Sequence, residues 1–223
     1  MAEERNSNAE AHVIPTLETE RLRLRPLQGS DFEDYAALYA DPEVAHFIGN
    51  GETWDRGRSW RHMAFAVGHW QLQGAGPWAV EEKASRTFAG IIGFWEPATW
   101  PGFELSWHLV RRFWGRGYAT EAGGAALAYA FEVWRRDLVI SLINPQNSRS
   151  IRVAERIGER LQRRIDHFGQ TMLVFCLDHA TWQRELAPWC RSDLGCWRCS
   201  ARCQGSENGP CMPSSIRPAW LSP

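Results

Sequence analysis

With 223 residues, 44% of them apolar and 23% charged, the chain has material for one ordinary globular domain with its own hydrophobic core. A formal net charge of −1 removes the electrostatic case for nucleic acid or an acidic membrane surface as the main partner. No apolar run approaches the roughly 20 residues that a membrane-spanning helix needs, and the polar, acidic start from Met1 to Ala11 is unlike a secretory leader, so a cytoplasmic protein is expected.

Residues 1–14 read as a solvated arm, 15–187 as the folded domain and 188–223 as a tail of different character. Leu22, Leu24 and Leu27 suggest a first strand, with Pro26 placing it at an edge or an end. Ser30 and Glu33 stand at capping-box spacing, and Phe32, Tyr35, Ala36 and Tyr39 follow at helical intervals until Asp41-Pro42. A second helix is predicted from about Asp55 to Gln73, with Trp60, Met63, Ala64, Val67 and Trp70 as its apolar stripe and Gly74 as its left-handed stop. The period then changes. Pro77 to Glu81 and Thr87 to Phe94 read as a hairpin, and Phe103 to Val110 alternates apolar and polar residues as a third strand. A basic turn, Arg111 to Gly117, leads into an alanine-rich helix from Tyr118 to about Trp134. Leu138 to Ile143 is another strand, Ser148 to Ile157 a short helix closed by Gly158, and Glu159 to Leu177 a final hairpin. The pattern predicts an α/β domain around a mixed sheet.

Five of the six cysteines lie at or beyond position 190, and only Cys176 falls in the body, so the body is no disulfide scaffold. Cys196, Cys199, Cys203 and Cys211 invite a zinc reading, but paired knuckles and nearby histidines are missing from a segment crowded with Ser, Pro and Gly. Free thiols on a disordered tail, with no metal, are expected.

The chemistry concentrates in Arg111-Arg112-Phe113-Trp114-Gly115-Arg116-Gly117-Tyr118-Ala119-Thr120, between a strand and a helix. Gly115 and Gly117 offer no side chain to obstruct a ligand, the first N–H groups of the helix lack intrahelical partners, and Arg111, Arg112 and Arg116 add positive charge. Such a turn suits a diphosphate. A Walker loop is absent, and the dinucleotide fingerprint fails because Thr120 stands where a third glycine or alanine belongs and Asp137 precedes its strand.

Arg112-Phe113-Trp114-Gly115-Arg116-Gly117 fits [QR]-x-x-G-x-[GA] and resembles the acyl-coenzyme A loop of the GNAT N-acetyltransferases. The resemblance spans roughly Thr16 to Leu186. It includes the opening Leu17 to Pro26, the strand Phe103 to Val110, and the run from Asn144-Pro145-Gln146-Asn147 to Gly158. These pieces look most like the branch containing the ribosomal-protein N-terminal alanine acetyltransferases. The resemblance implies a mostly antiparallel sheet flanked by helices, with two parallel strands, around Val110 and Ile143, splaying apart at its centre to admit the pantetheine arm of acetyl-CoA. It places the coenzyme against Leu109, Val110, Arg112, Gly115, Arg116, Gly117, Tyr118, Ala119, Thr120 and Asn147.

The acceptor amine must lose a proton before attacking the thioester, which calls for a carboxylate within hydrogen-bond reach. The resemblance assigns this to Glu104. Ser106 and His108 share its strand face at steps of ~6.7 Å, where they could hold a bridging water. A backbone N–H near Val110 is expected to meet the oxyanion. Much of the family protonates the leaving thiolate with a tyrosine that this chain lacks between Ser148 and Gly158, leaving Ser150 as the substitute. The implied activity is acetyl transfer to a primary amine by direct attack. The favoured acceptor is a protein or peptide N-terminus, the alternatives being a small-molecule amine (antibiotic or polyamine) or a non-catalytic acyl-CoA-binding module. A cationic acceptor would find Asp31, Glu33, Asp34, Asp41, Glu43, Glu52 and Asp55 on the first helices. A monomer or homodimer is expected.

Overall fold

The structure, a computed structural model, describes residues 13–186. The N-terminal arm before residue 13 and the cysteine-bearing tail lie outside the described residues. Eight strands form one sheet: β1 (Leu17–Glu18), β2 (Leu22–Arg25), β3 (Pro77–Glu82), β4 (Thr87–Trp95), β5 (Glu104–Leu109), β6 (Leu138–Ile143), β7 (Arg160–His167) and β8 (Gln170–Asp178). Their order is β1-β2-β3-β4-β5-β6-β8-β7, antiparallel throughout except for the β5–β6 pair. β4 sits among neighbours on both sides with helices on both faces, so all but its first residue are buried. β7 is an edge, and Arg160, Arg163 and Arg164 guard it with charge.

Helices α1 (Phe32–Ala40), α2 (Pro42–Ala45) and α3 (Arg56–Gln73) precede β3, α4 (Tyr118–Glu132) follows β5, and α5 (Ser148–Arg156) follows β6. Tyr35, Tyr39 and Met63 of α1 and α3 pack with Phe88, Ile91 and Trp95 on one face of the sheet. On the other face, Ala122, Ala125, Ala126 and Phe131 of α4 pack with Ile92, Phe94 and Leu105. The alanines let α4 lie close to the strands, since a small side chain keeps the helix axis near the sheet.

Two sequence expectations are corrected. The Ser30–Glu33 capping box does not form: Asp31 accepts from Gln28 N–H at 2.8 Å and makes a two-pronged ion pair with Arg25, while Glu33 pairs with Arg56. A half-buried arginine at the end of β2 holds the carboxylate more firmly than a helix end does. On α3 the buried stripe is Ser59, Met63, Ala66, His69 and Trp70, whereas Trp60, Ala64 and Val67 face outward. The sheet contacts select that stripe, and Trp60 packs edge-on against Phe32 at the helix surface. Asp41-Pro42 does end α1, but Asp41 also caps α2 by accepting from Glu43 N–H at 3.0 Å.

Candidate active site

The site begins as a fork in the sheet. β5 and β6 are paired at one register position, Glu104 opposite Ile140, where Ile140 N–H donates to Phe103 O at 3.0 Å. Beyond that point side chains replace the ladder. Ser141 Oγ donates to Leu105 O at 2.8 Å, and Leu142 N–H donates to Glu104 Oε1 at 3.4 Å. A cavity of about 510 Å³ opens in the gap between the strands. Of the residues expected to hold the coenzyme, Leu109, Gly115, Gly117, Tyr118, Ala119, Thr120 and Asn147 line it; Val110, Arg112 and Arg116 do not. Both Glu104 and Ser150 are also on its wall.

Val110 N–H donates to Ala89 O at 2.9 Å, so it is committed to the β4 ladder and cannot serve as the oxyanion donor. Backbone groups along an antiparallel ladder alternate in direction. Those of Trp107 and Leu109 therefore turn the other way, into the gap.

At the far end of the cavity, Gly115 and Gly117 both adopt left-handed backbone, with φ of 76° and 80°, a conformation costly for residues bearing a Cβ. Gly117 is the N-cap of α4, and the first helical bond runs from Glu121 N–H to Gly117 O at 3.0 Å. The N–H groups of Tyr118, Ala119 and Thr120 thus have no helical acceptor and carry the positive end of the helix dipole. Each loop arginine side chain has a protein partner. Arg111 pairs with Asp41, Arg116 with Glu82, and Arg112 reaches Phe88 O and stacks over Phe113. Those acceptors lie at the end of β3, in β4 and at the α1–α2 junction. Further positive charge stands on the cavity wall itself, in Arg149, Arg152 and Arg156 of α5, with the Arg149 guanidinium 4.7 Å from the Trp114 ring. Their spacing on the helix after Asn147, which sets them along one side, is a signal readable in the sequence.

Asn147 caps α5, its Oδ1 accepting from Ser150 N–H at 3.1 Å; its amide Nδ2 is left for the cavity it lines. Ser150 Oγ accepts from Trp107 Nε1 at 3.3 Å, which leaves its own proton to donate.

At the near end, Glu104 is buried, accepting from Trp100 Nε1 at 2.6 Å besides Leu142 N–H. Loss of hydration lifts its carboxyl to about 7, against the opposing pull of those two donors. Trp100 packs edge-on against His167, 4.7 Å between ring centres, in the β7–β8 hairpin. Ser106 accepts from Trp95 Nε1 at 2.9 Å, and His108 Nδ1 lies 2.8 Å from Tyr39 Oη. Burial, with His62 adding to it, lowers His108 to about 3, so the ring is neutral at physiological pH and acts as a wall with a polar edge. Tyr39 in turn stacks on Trp54 at 4.0 Å. Most of the acidic residues of the first helices are engaged elsewhere. Asp31, Glu33 and Asp41 pair with arginines, Asp55 caps α3, Glu52 accepts from Asn50, and only Glu43 of that set reaches the cavity.

Residues 21–160 match the model of the acetyltransferase (GNAT) domain. The chain belongs to the GNAT acetyltransferase family. An uncharacterised protein of Bacillus subtilis (strain 168), YkkB, is 30% identical over 162 residues, 71% of this chain and 93% of that protein. Among solved structures, the acetyltransferase from Agrobacterium tumefaciens str. C58 shares 34% identity at a TM-score of 0.67, covering 74% of this chain and 95% of the other. A ribosomal L7/L12 alpha-N-protein acetyltransferase, RimL, solved in complex with coenzyme A, superimposes at a TM-score of 0.64 over 75% of this GNAT chain and 99% of its own, at 14% identity. That likeness is one of fold. Among the described residues no helix is long and apolar enough to cross a membrane, and no group of three His, Cys, Asp or Glu could hold a metal.

Proposed function

We propose that this GNAT protein transfers an acetyl group from acetyl-CoA to the N-terminal amine of a protein or peptide. The observation that carries the proposal is the forked β5–β6 gap, with unpartnered helix N–H groups at one end and the Glu104 carboxylate at the other. Acetyl-CoA would supply the activated thioester, and the chain's own groups do the rest.

The loop Gly115–Gly117 and the N–H groups of Tyr118, Ala119 and Thr120 hold the diphosphate, with Arg149, Arg152 and Arg156 as counter-charges. Backbone groups of Trp107 and the N–H of Leu109, whose carbonyl is taken by Trp114 Nε1 at 2.8 Å, replace missing ladder partners with hydrogen bonds to the pantetheine amides, alongside Asn147. Glu104, ionised, takes the proton from the amine nitrogen directly or through one water beside Ser106. The freed lone pair attacks the carbonyl carbon, the carbon–sulfur bond breaks as the carbonyl re-forms, and the second nitrogen proton reaches the departing sulfur by way of the Ser150 hydroxyl, which gives its own proton and takes that one in return. A weak donor suffices, because a free thiol has a pKa near 8.5. Support for a protein N-terminus comes from the fold shared with a ribosomal-protein acetyltransferase, and from an acceptor end holding one mouth carboxylate, Glu43, too little charge for a polyamine.

Calorimetric titration with acetyl-CoA tests the coenzyme site, with micromolar, stoichiometric binding expected. Thiol release is then followed with peptides and with small amines. Peptide-dependent release supports the acceptor class. Release with small amines alone replaces it by a small-molecule acceptor, and binding without release reduces the protein to an acyl-CoA-binding module.

A further inference from the structure

Glu159 is the second buried carboxyl at the fork, and nothing in the acetyl-transfer scheme uses it. It stands between α5 and β7, 2% exposed, with Oε1 2.9 Å from Ser141 Oγ and Oε2 without a partner. Ser141 has one hydroxyl proton. The Leu105 carbonyl, stripped of its ladder partner where β5 and β6 part, accepts that proton at 2.8 Å. The contact between Ser141 and Glu159 then needs a second proton, and the carboxyl is the only group that can bring it. An ionised Glu159 would leave either two oxygen lone pairs facing each other or a buried Leu105 carbonyl unsatisfied.

We propose that Glu159 is a positioning residue, a neutral carboxyl that donates to Ser141 Oγ and through it to Leu105 O, holding open the fork that receives the coenzyme. This inference rests on the coenzyme site proposed above. The groups facing Glu159 agree with it. Glu104 approaches from β5, Ser141 from β6 and the Cys176 thiol from β8, and among the described residues no cation offsets its charge. Burial, chiefly, and the neighbouring Glu104 lift its carboxyl to about 8, and Glu104, unlike Glu159, accepts from two N–H donors that favour its anion. Two carboxyls in one dry site do not both ionise at neutral pH. Keeping the proton on Glu159 leaves the single negative charge to Glu104, where a base is needed.

Glu159→Gln keeps an N–H donor toward Ser141 and removes the titration. Acetyl-CoA affinity is measured by calorimetry for both proteins from about pH 6.5 to 9.5. The wild-type affinity should fall about five- to tenfold as pH rises through about 8, the scale of one lost hydrogen bond. The Gln variant should stay level. The same decline in both proteins overturns the inference. If neither binds acetyl-CoA at any pH, the coenzyme site itself is wrong, and thermal unfolding still decides the question of Glu159. Its folded pKa exceeds the ordinary value of about 4.3, so its stabilising effect is complete below that pH and disappears as pH rises through about 8. The wild-type midpoint should therefore drop relative to Gln across that range, and a constant offset overturns the assignment.

Discussion

The coenzyme end of the cavity comes from a continuous run of chain, Leu109 to Thr120, with one further helix beside it. The reacting end takes single side chains from places far apart in sequence: Tyr39 from α1, Trp100 from the β4–β5 connection, Glu104 and His108 from β5, and Ser150 from α5. The first end uses backbone geometry and a helix dipole, which depend on glycine at two positions and tolerate change elsewhere. The second depends on proton positions in a dry pocket, where burial lifts one carboxyl from the ordinary carboxylate range to about 7. A substitution at the coenzyme end should therefore weaken binding, and one at the reacting end should alter turnover and its pH dependence.

The sharpest separation should come from Glu104→Gln. Turnover is expected to fall about 10²- to 10⁴-fold, the usual worth of a general base, while acetyl-CoA affinity by calorimetry stays unchanged. A parallel loss of affinity would merge the two ends into one structural unit. Gly117→Val should do the reverse. A β-branched residue at φ 80° is strained and its Cβ meets Arg21, so coenzyme affinity should drop about 100-fold with the circular dichroism spectrum preserved. Unchanged affinity in that variant would remove the coenzyme from the loop.

The pH profile sharpens the contrast further. Glu104 acts as base only when ionised, so kcat/KM should climb as pH rises through about 7. Trp100→Phe deletes a donor that stabilises the anion, and the acid limb should move upward by up to about one unit. A limb that stays in place would mean that some other group, the acceptor amine included, sets it. The smallest effect is expected at Arg149, which is stacked on Trp114 at the rim. Arg149→Ala should weaken acetyl-CoA about three- to tenfold, less so at high salt. A salt-independent loss would point to packing on Trp114 instead of charge.

Much of this was open to the sequence because it is local. Glycine at 115 and 117, a helix starting at Tyr118 and the β5 alternation depend on residues next to one another, and conformational preference acts over that range. Side chains that reach across the fold were harder to place. Three loop arginines read as a basic cluster, and only folding shows that each has a protein acceptor, in Asp41, Glu82 or Phe88 O. The α3 stripe was misassigned for a related reason: with apolar residues on several faces, the partner surface decides which one is buried, and Trp60 and Val67 were left outside.

By itself, then, the sequence determined the order of elements apart from β1 and α2, the glycine turn, the helix N-terminus and the strand that carries Glu104, since these follow from periodicity and backbone freedom. Tertiary structure alone decided that Val110 N–H is spent on β4, that Ser141 and Glu159 occupy the fork, and that Glu104 is dry enough to titrate near neutrality. Burial and long-range hydrogen bonds are properties of juxtaposition, and juxtaposition exists only once the chain is packed.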